Sequence, residues 1–228
     1  MGYIVVIEGT DGCGKQTQTT KLYDRLTEMG YKVKRQSFPA YDSPSSGPVK
    51  MYLGGELGSN DMALDAYQAS SLYAVDRLCT YQKDLKAFYE AGGIILFDRY
   101  VSSNMLHQAG KISDFKERDK FLKWLDELEF NTLKLPRADK TIFLDVPVEI
   151  SFRLASERTE QKSGEKKDIH ELSPDHLYRS YEAGKYVAGK YGWTVIPCTD
   201  GENLRSIEDI HEDIFGAVAK EFQSNDWK

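Results

Sequence analysis

The sequence predicts a three-layer α/β fold, a five-stranded parallel sheet flanked by helices, in a single domain over 1–228. Three observations carry that expectation. Short runs of β-branched and aromatic residues recur along the chain, and segments with helical spacing separate them. Strands that alternate with helices pair in parallel, with helices on both faces of the sheet. The first run passes directly into Gly9, Gly12 and Gly14, then into a helix start at Lys15, Gln16 and Thr17.

Tyr3–Ile7 is the first strand, an unbroken apolar run of the kind buried on both faces. Thr17–Met29 carries Leu22, Leu26 and Met29 at helical spacing, and Gly30 stands where a helix C-cap belongs. Lys32–Phe38 alternates as a second strand until Pro39 breaks it. Residues 39–60 are rich in Pro, Gly and Asp, and read as an ordered binding loop around a short helix at Val49–Leu53. Asn60-Asp61 is expected to cap a long helix over 61–91, which Gly92-Gly93 ends. Ile94–Phe97 is a third buried strand, followed at once by Asp98-Arg99-Tyr100. Helices fit Ser102–Ala109 and Asp114–Leu133, a fourth strand Lys140–Val146, and another helix Val148–Arg158. Residues 159–173 are polar and dense in charge, and read as a lid within the domain. Pro174 opens a helix to about Tyr191, Trp193–Pro197 is the fifth strand, Asp200-Gly201 a turn, and Ser206–Phe222 the last helix.

Composition narrows the function classes. Hydrophobic residues make up 40% and charged residues 29% of the 228, as in ordinary globular domains. A net charge of −6 argues against a surface built to coat nucleic acid. No apolar run approaches the roughly 20 residues of a membrane helix. The chain enters a strand at once, so no signal peptide is expected. Three scattered cysteines, Cys13, Cys79 and Cys198, suit a reduced cytoplasmic protein.

The chemistry starts at the glycine-rich loop. Gly9, Gly14 and Lys15 fit G-x-x-x-x-G-K between a strand and a helix, which is the phosphate-binding loop in its proper context. Glycines let backbone amides curl around a phosphate, the helix N-terminus points its dipole at the same anion, and Lys15 adds a full charge. The loop Gly9, Thr10, Asp11, Gly12, Cys13, Gly14, Lys15, Gln16 and Thr17 therefore reads as the ATP cradle. The position after the lysine normally holds Ser or Thr; here it is Gln16. Either the site binds nucleotide and turns over slowly, or the metal is held elsewhere, by Thr17 or by carboxylates such as Asp11. The loop alone does not decide. Glu8–Gly14, Phe38-Pro39, Asp98-Arg99 and Thr199-Asp200 all fall at strand carboxyl ends, where parallel sheets gather ligands. A cradle, carboxylates at Asp11 and Asp98, and arginines at 77 and 99 make the inventory of phosphoryl transfer. Tyr73 and Arg77 share a helix face, an aromatic plate beside a bidentate donor.

Taken together, the loop with Asp11, Phe38-Pro39-x-Tyr41, Leu72-Tyr73-Ala74-x-Asp76-Arg77, Asp98-Arg99-Tyr100-x-x-Ser103-Asn104 and Leu144-Asp145-Val146-Pro147 resemble the thymidylate kinase family. The resemblance covers nearly the whole chain and implies ATP-dependent phosphorylation of dTMP to dTDP with Mg2+, on a fold of the phosphate-loop nucleoside monophosphate kinase type. It implies Lys15 on the donor phosphates, Asp11 near the sugar and metal, and Arg99 on the acceptor phosphate with Asp98 close to the metal. Tyr73 is similar to the plate under thymine, with Arg77 and Asn104 on the base edge. Phe38, Pro39, Tyr41 and Tyr100 then line the acceptor side, and His107 stands where relatives often have a tyrosine against the deoxyribose. From the lid, His170 is expected at the substrate and Glu171 at the metal, while Arg153 and Arg158 at its entry supply charge to the nucleotide. The resemblance also implies a homodimer formed through the helix 61–91. Two alternatives stay open: a kinase for another pyrimidine monophosphate or a deoxynucleoside, and a weak nucleotide-binding homologue because of Gln16. An Asn-Lys-x-Asp motif of a guanine-reading switch is absent.

Overall fold

The structure, a computed structural model, describes residues 1–161, 169, 173–201 and 203–222. Five strands form one sheet: β1 (Tyr3–Glu8), β2 (Val33–Ser37), β3 (Ile94–Asp98), β4 (Lys140–Asp145) and β5 (Thr194–Pro197). Their order is β2-β3-β1-β4-β5 and every pairing is parallel. The expected three-layer architecture is what the chain adopts.

Alternation along the central strands divides the core between the two faces. Ile4 and Val6 of β1 join Ile95 and Phe97 of β3 on one face, packed by Phe121, Leu122 and Leu125. Val5 and Ile7 join Leu96 and Leu144 on the other, against Leu22, Leu26, Ile214 and Val218. The helices that cover these faces include α1 (Lys15–Glu28), α6 (Phe115–Asp126) and α9 (Ile207–Phe222), with α2 (Gly47–Leu53), α3 (Ala66–Thr80), α4 (Lys86–Glu90), α5 (Val101–His107), α7 (Val148–Gln161) and α8 (Pro174–Tyr191) completing the set.

The long helix expected over 61–91 starts later. Its true cap is Asp65, whose side chain accepts the Gln68 N–H while the Gln68 side chain accepts the Asp65 N–H. That reciprocal capping box satisfies two orphan donors, which a single Asn-Asp pair does not. Asn60 instead holds a turn onto Met62, and Asp61 is buried elsewhere. Tyr81–Leu85 joins α3 to α4 through a turn of wider π winding, and Glu127–Thr132 extends α6 in the same way. The polar segment placed at 159–173 begins inside a helix, because α7 runs to Gln161. Most of the rest of that segment lies outside the described residues. Around Asp200-Gly201 the chain makes a small antiparallel hairpin, Thr199–Asp200 with Asn203–Leu204.

Candidate active site

One cleft of about 800 Å³ opens at the carboxyl edge of the sheet. Register explains why it lies there. Ile7 pairs with Asp98, so β1 and β3 leave the sheet side by side and release the glycine loop next to Asp98-Arg99.

The loop needs its glycines at specific points. A Cβ on Gly9, at φ +151°, would lie 2.6 Å from Cys13 Sγ and 3.1 Å from the Leu144 carbonyl. Gly14, at φ 89°, precedes α1 in the left-handed region and offers no side chain to cap it. The first-turn amides of α1 therefore face the loop with the positive end of the helix dipole. Lys15 is buried beneath them, its Nζ donating to the Gly9 carbonyl at 3.0 Å and the Thr10 carbonyl at 2.6 Å. Gln16 and Thr17 are exposed along the cleft wall. Cys13 is buried against the lysine, and burial pushes its thiol upward although Lys15 and Arg99 oppose the shift.

Glu8 anchors the base of the loop. It is fully buried, and its carboxylate accepts the Gly9 N–H at 3.0 Å and the hydroxyls of Ser102 and Ser103, each at 2.8 Å. Those serines lie in the first turn of α5, so one carboxylate fixes the phosphate loop to the helix that carries Asn104 and His107.

Across the cleft Arg99 forms an ion pair with Asp11 and donates from Nη1 to His107 Nε2 at 2.9 Å. Its backbone is left-handed at φ 70°, a conformation a bulky residue adopts only when its surroundings impose it. Burial disfavours the guanidinium charge, but Asp11, Glu8 and Asp98 outweigh it and hold the pKa above the ordinary arginine value. Behind Arg99 the contacts continue to His176, Ser180 and Asp61.

The opposite wall is built on α3. Arg77 is 1% exposed and ion-paired to the equally buried Glu129. Its Nη1 also donates to Asn104 Oδ1 at 3.2 Å. Because an arginine only donates, Asn104 Oδ1 faces Arg77 and its amide nitrogen faces away. That Nδ2 is buried and has no hydrogen-bond partner among the described residues. Tyr73 is half-buried and stands edge-on to Tyr52, ring centroids 6.5 Å apart. Asp76 takes the Ala40 N–H at 2.8 Å and the Ser45 hydroxyl at 2.6 Å, which ties the loop over 39–60 to α3.

The sequence expectations separate accordingly. Lys15, Asp11, Asp98, Arg99, Tyr73, Arg77, Asn104 and His107 all line the cleft, with Gln16, Thr17, Phe38, Pro39, Tyr41 and Tyr100. Phe38 and Tyr100 are mainly core: Tyr100 stacks on Phe97 at 4.4 Å and its hydroxyl donates to the Pro136 carbonyl at 2.9 Å. Phe38 packs on the same two rings after a cis bond to Pro39. Arg153 is exposed on α7 and is not among the residues lining the cleft. The side chain of Arg158, together with His170 and Glu171, lies outside the described residues. Sequence reasoning missed Glu8, Asp61, Asp76, Glu129, His176 and Ser180. Asp76, next to Arg77 within a quoted motif, and Glu8, at the strand carboxyl end that opens the loop, left a signal.

Among the described residues no group of three or more His, Cys, Asp or Glu forms a ready metal cage. Mg2+ does not require one, since it commonly takes one or two carboxylates and completes its shell with phosphate oxygens and water. Asp11 within the phosphate loop and Asp98 at the end of β3 fit that donor set.

Replacing Arg99 by Lys keeps the charge but loses the planar fork that meets Asp11 and His107 together. We expect kcat/KM to fall by roughly 10–100-fold, the scale of one or two charge-assisted hydrogen bonds. An unchanged value in steady-state assays would reduce Arg99 to a pair closing the strand end.

The family model described as Thymidylate kinase matches residues 7–188. A protein of Thermococcus gammatolerans named "Probable thymidylate kinase" is 33% identical over 226 residues, covering 98% of this chain and 99% of its own. A thymidylate kinase of Mycobacterium tuberculosis is 28% identical over 191 residues, 83% of this chain and 87% of its own. One from Geotalea uraniireducens is 29% identical over 185 residues, 81% and 82% respectively.

Proposed function

The chain belongs to the thymidylate kinase family, and from that membership we propose that this cleft transfers a phosphoryl group from ATP to dTMP, giving dTDP. The observation that carries the acceptor assignment is Asn104. Its orientation is forced by Arg77, and its Nδ2 is a buried donor with no partner among the described residues, on the wall of the cleft. A buried donor of that kind is costly unless a ligand acceptor meets it. A pyrimidine carbonyl supplies one, with Tyr73 beside it as the stacking plate.

In this reading the cradle amides and Lys15 bind the donor phosphates. Arg99 takes the acceptor phosphate, and Asp11 holds the guanidinium between the two. Phosphoryl transfer has a loose transition state whose charge is spread over peripheral oxygens, so positioning and neutralisation supply most of the catalysis. The buried ammonium of Lys15 and the guanidinium of Arg99 supply both. Asp98 and Asp11 would hold Mg2+, which would supply positive charge to offset that of the phosphates. Gln16 and Thr17 lie at the exposed mouth, and we assign them to the donor side.

We assign the reaction to the cytoplasm. That reading is supported by three free cysteines, and among the described residues no helix is long and apolar enough to cross a membrane. The partners we assign are ATP, dTMP and a second copy of the chain. Tyr67 and Val75, apolar and partly exposed on α3, support that pairing.

The decisive experiment is ADP release from ATP and Mg2+ with dTMP, dUMP, UMP, CMP and thymidine in parallel. Strong turnover with dTMP, weaker with dUMP and none with thymidine is expected. Turnover with UMP or CMP in preference would overturn the base assignment, and none with any acceptor would move Gln16 to the front as a defect. Truncating the plate in Tyr73→Ala should weaken dTMP binding by roughly 1–3 kcal/mol, the scale of base–aromatic stacking. Calorimetry showing a loss of ATP affinity instead would place the acceptor on the wrong side.

A further inference from the structure

Arg99 does not end at His107. Behind it runs a buried chain of contacts. Arg99 Nη1 meets His107 Nε2 at 2.9 Å, and His107 Nδ1 meets His176 Nε2 at 3.1 Å and Ser180 Oγ at 3.1 Å. His176 Nδ1 lies 3.3 Å from Asp61 Oδ2, which also pairs with Arg179. The two imidazoles are nearly parallel, 9° apart with centroids at 5.3 Å, and both are buried. These residues come from α5, α8 and the segment ahead of α3, and the contacts from His107 to His176 and from His176 to Asp61 join residues far apart in sequence.

The chemistry of the donors points to one proton arrangement along this chain. Arginine has no acceptor, so His107 Nε2 must present a lone pair to it. His107 is then neutral and carries its proton on Nδ1. That N–H donates to His176 Nε2 directly, or to Ser180 Oγ, whose hydroxyl then donates to His176 Nε2 at 3.4 Å. By either route His176 Nε2 accepts, so His176 carries its proton on Nδ1 and gives it to the Asp61 carboxylate. Asp61 is thus the terminus that sets both tautomers, as a carboxylate or carbonyl does behind a ligating histidine.

We propose that Asp61, His176 and His107 form a relay that aims Arg99 at the acceptor phosphate, with His107 and His176 as positioning residues. The proposal rests on the assignment of Arg99 to that phosphate. Asp11 alone holds one side of the guanidinium, and His107 holds the other. With both in place the fork is fixed in a plane before the substrate arrives, and less freedom is lost when the phosphate binds.

The test uses His176, which does not line the cleft. In the free protein, 15N-edited spectra of the histidine side chains, assigned by single substitution among the 4 histidines, are expected to show His107 and His176 both protonated on Nδ1. A proton on His107 Nε2 would overturn the relay without reference to any nucleotide. His176→Leu is then expected to raise Kd and KM for dTMP about tenfold or more, the scale of a hydrogen bond to a charged group. Affinities for thymidine and for ATP should stay unchanged, and His176→Gln, which restores an acceptor to His107, should recover most of the loss. Equal losses for thymidine and dTMP, or failure of Gln to recover what Leu loses, would show a merely structural role and overturn the proposal. So would unchanged dTMP binding in His176→Leu. Wild-type protein that binds thymidine as well as dTMP would instead overturn the acceptor assignment, while the spectra still judge the tautomers.

Discussion

Lys15→Ala is expected to lower kcat by about 10³-fold or more, since removing one preorganised donor from a transition-state site commonly costs 10²–10³ and this one carries a full charge. The structure makes the variant easy to interpret. Lys15 is 6% exposed, and its ammonium is held by the Gly9 and Thr10 carbonyls, inside the glycine-rich loop assigned to the donor phosphates. Alanine empties that position without touching the sheet. Two carbonyls lose a donor, for roughly 1–3 kcal/mol of stability, which leaves a folded protein whose circular dichroism should match the wild type. Turnover within tenfold of the wild type would overturn the cradle assignment for Lys15. The main loss should appear in kcat, because the charge on the transferring group develops after ATP has bound.

The second large effect is on stability. Glu129→Ala strands the Arg77 guanidinium, which is 1% exposed, and should destabilise the protein by roughly 3–5 kcal/mol. At a few degrees per kcal/mol for a chain of this length, that is a fall in Tm of roughly 6–20 °C. Arg77→Met combined with Glu129→Leu replaces the pair with apolar groups of similar volume and should recover most of the stability. It should not recover dTMP binding, since Asn104 loses the donor that orients its amide. If the double variant bound dTMP like the wild type, Arg77 and Glu129 would be only a buried pair, and the base edge would be read elsewhere. Thermal melts and calorimetry on the same three proteins separate these outcomes.

The parts of this site legible in the sequence are those whose chemistry is local. Gly9, Gly14 and Lys15 announce themselves because a phosphate loop is contiguous, and Asp98-Arg99 because it closes a buried strand. The five strands were visible because a sheet buried on both faces needs unbroken apolar runs. What escaped is what the fold brings together from a distance. Glu129 lies 52 residues from Arg77, and nothing in its own neighbourhood marks it as the partner of a cleft arginine. His176 lies 69 residues from His107, and Asp61 lies farther still along the chain from its partner His176. Asp61 was misread for a physical reason: Asn-Asp is a fair helix cap, but Asp65 with Gln68 satisfies more backbone donors, and the better cap wins. The resemblance addresses His107 from the cleft side alone; its other nitrogen meets His176 and Ser180, which no local pattern signals.

Asp76 and Arg77 are consecutive residues of α3, one holding Ala40 and Ser45, the other Asn104. Successive residues of a helix differ by about 1.5 Å in rise and are fixed in angle. In the proposed binding mode, one rigid rod therefore holds the phosphate end and the base end of the acceptor site in a fixed relation. Such a rod acts as a gauge for the length of the nucleotide. A change that slides or turns α3 displaces both ends at once, so variants that loosen its N-terminus at Asp65 or Gln68 should lose phosphate and base recognition in proportion rather than one at a time.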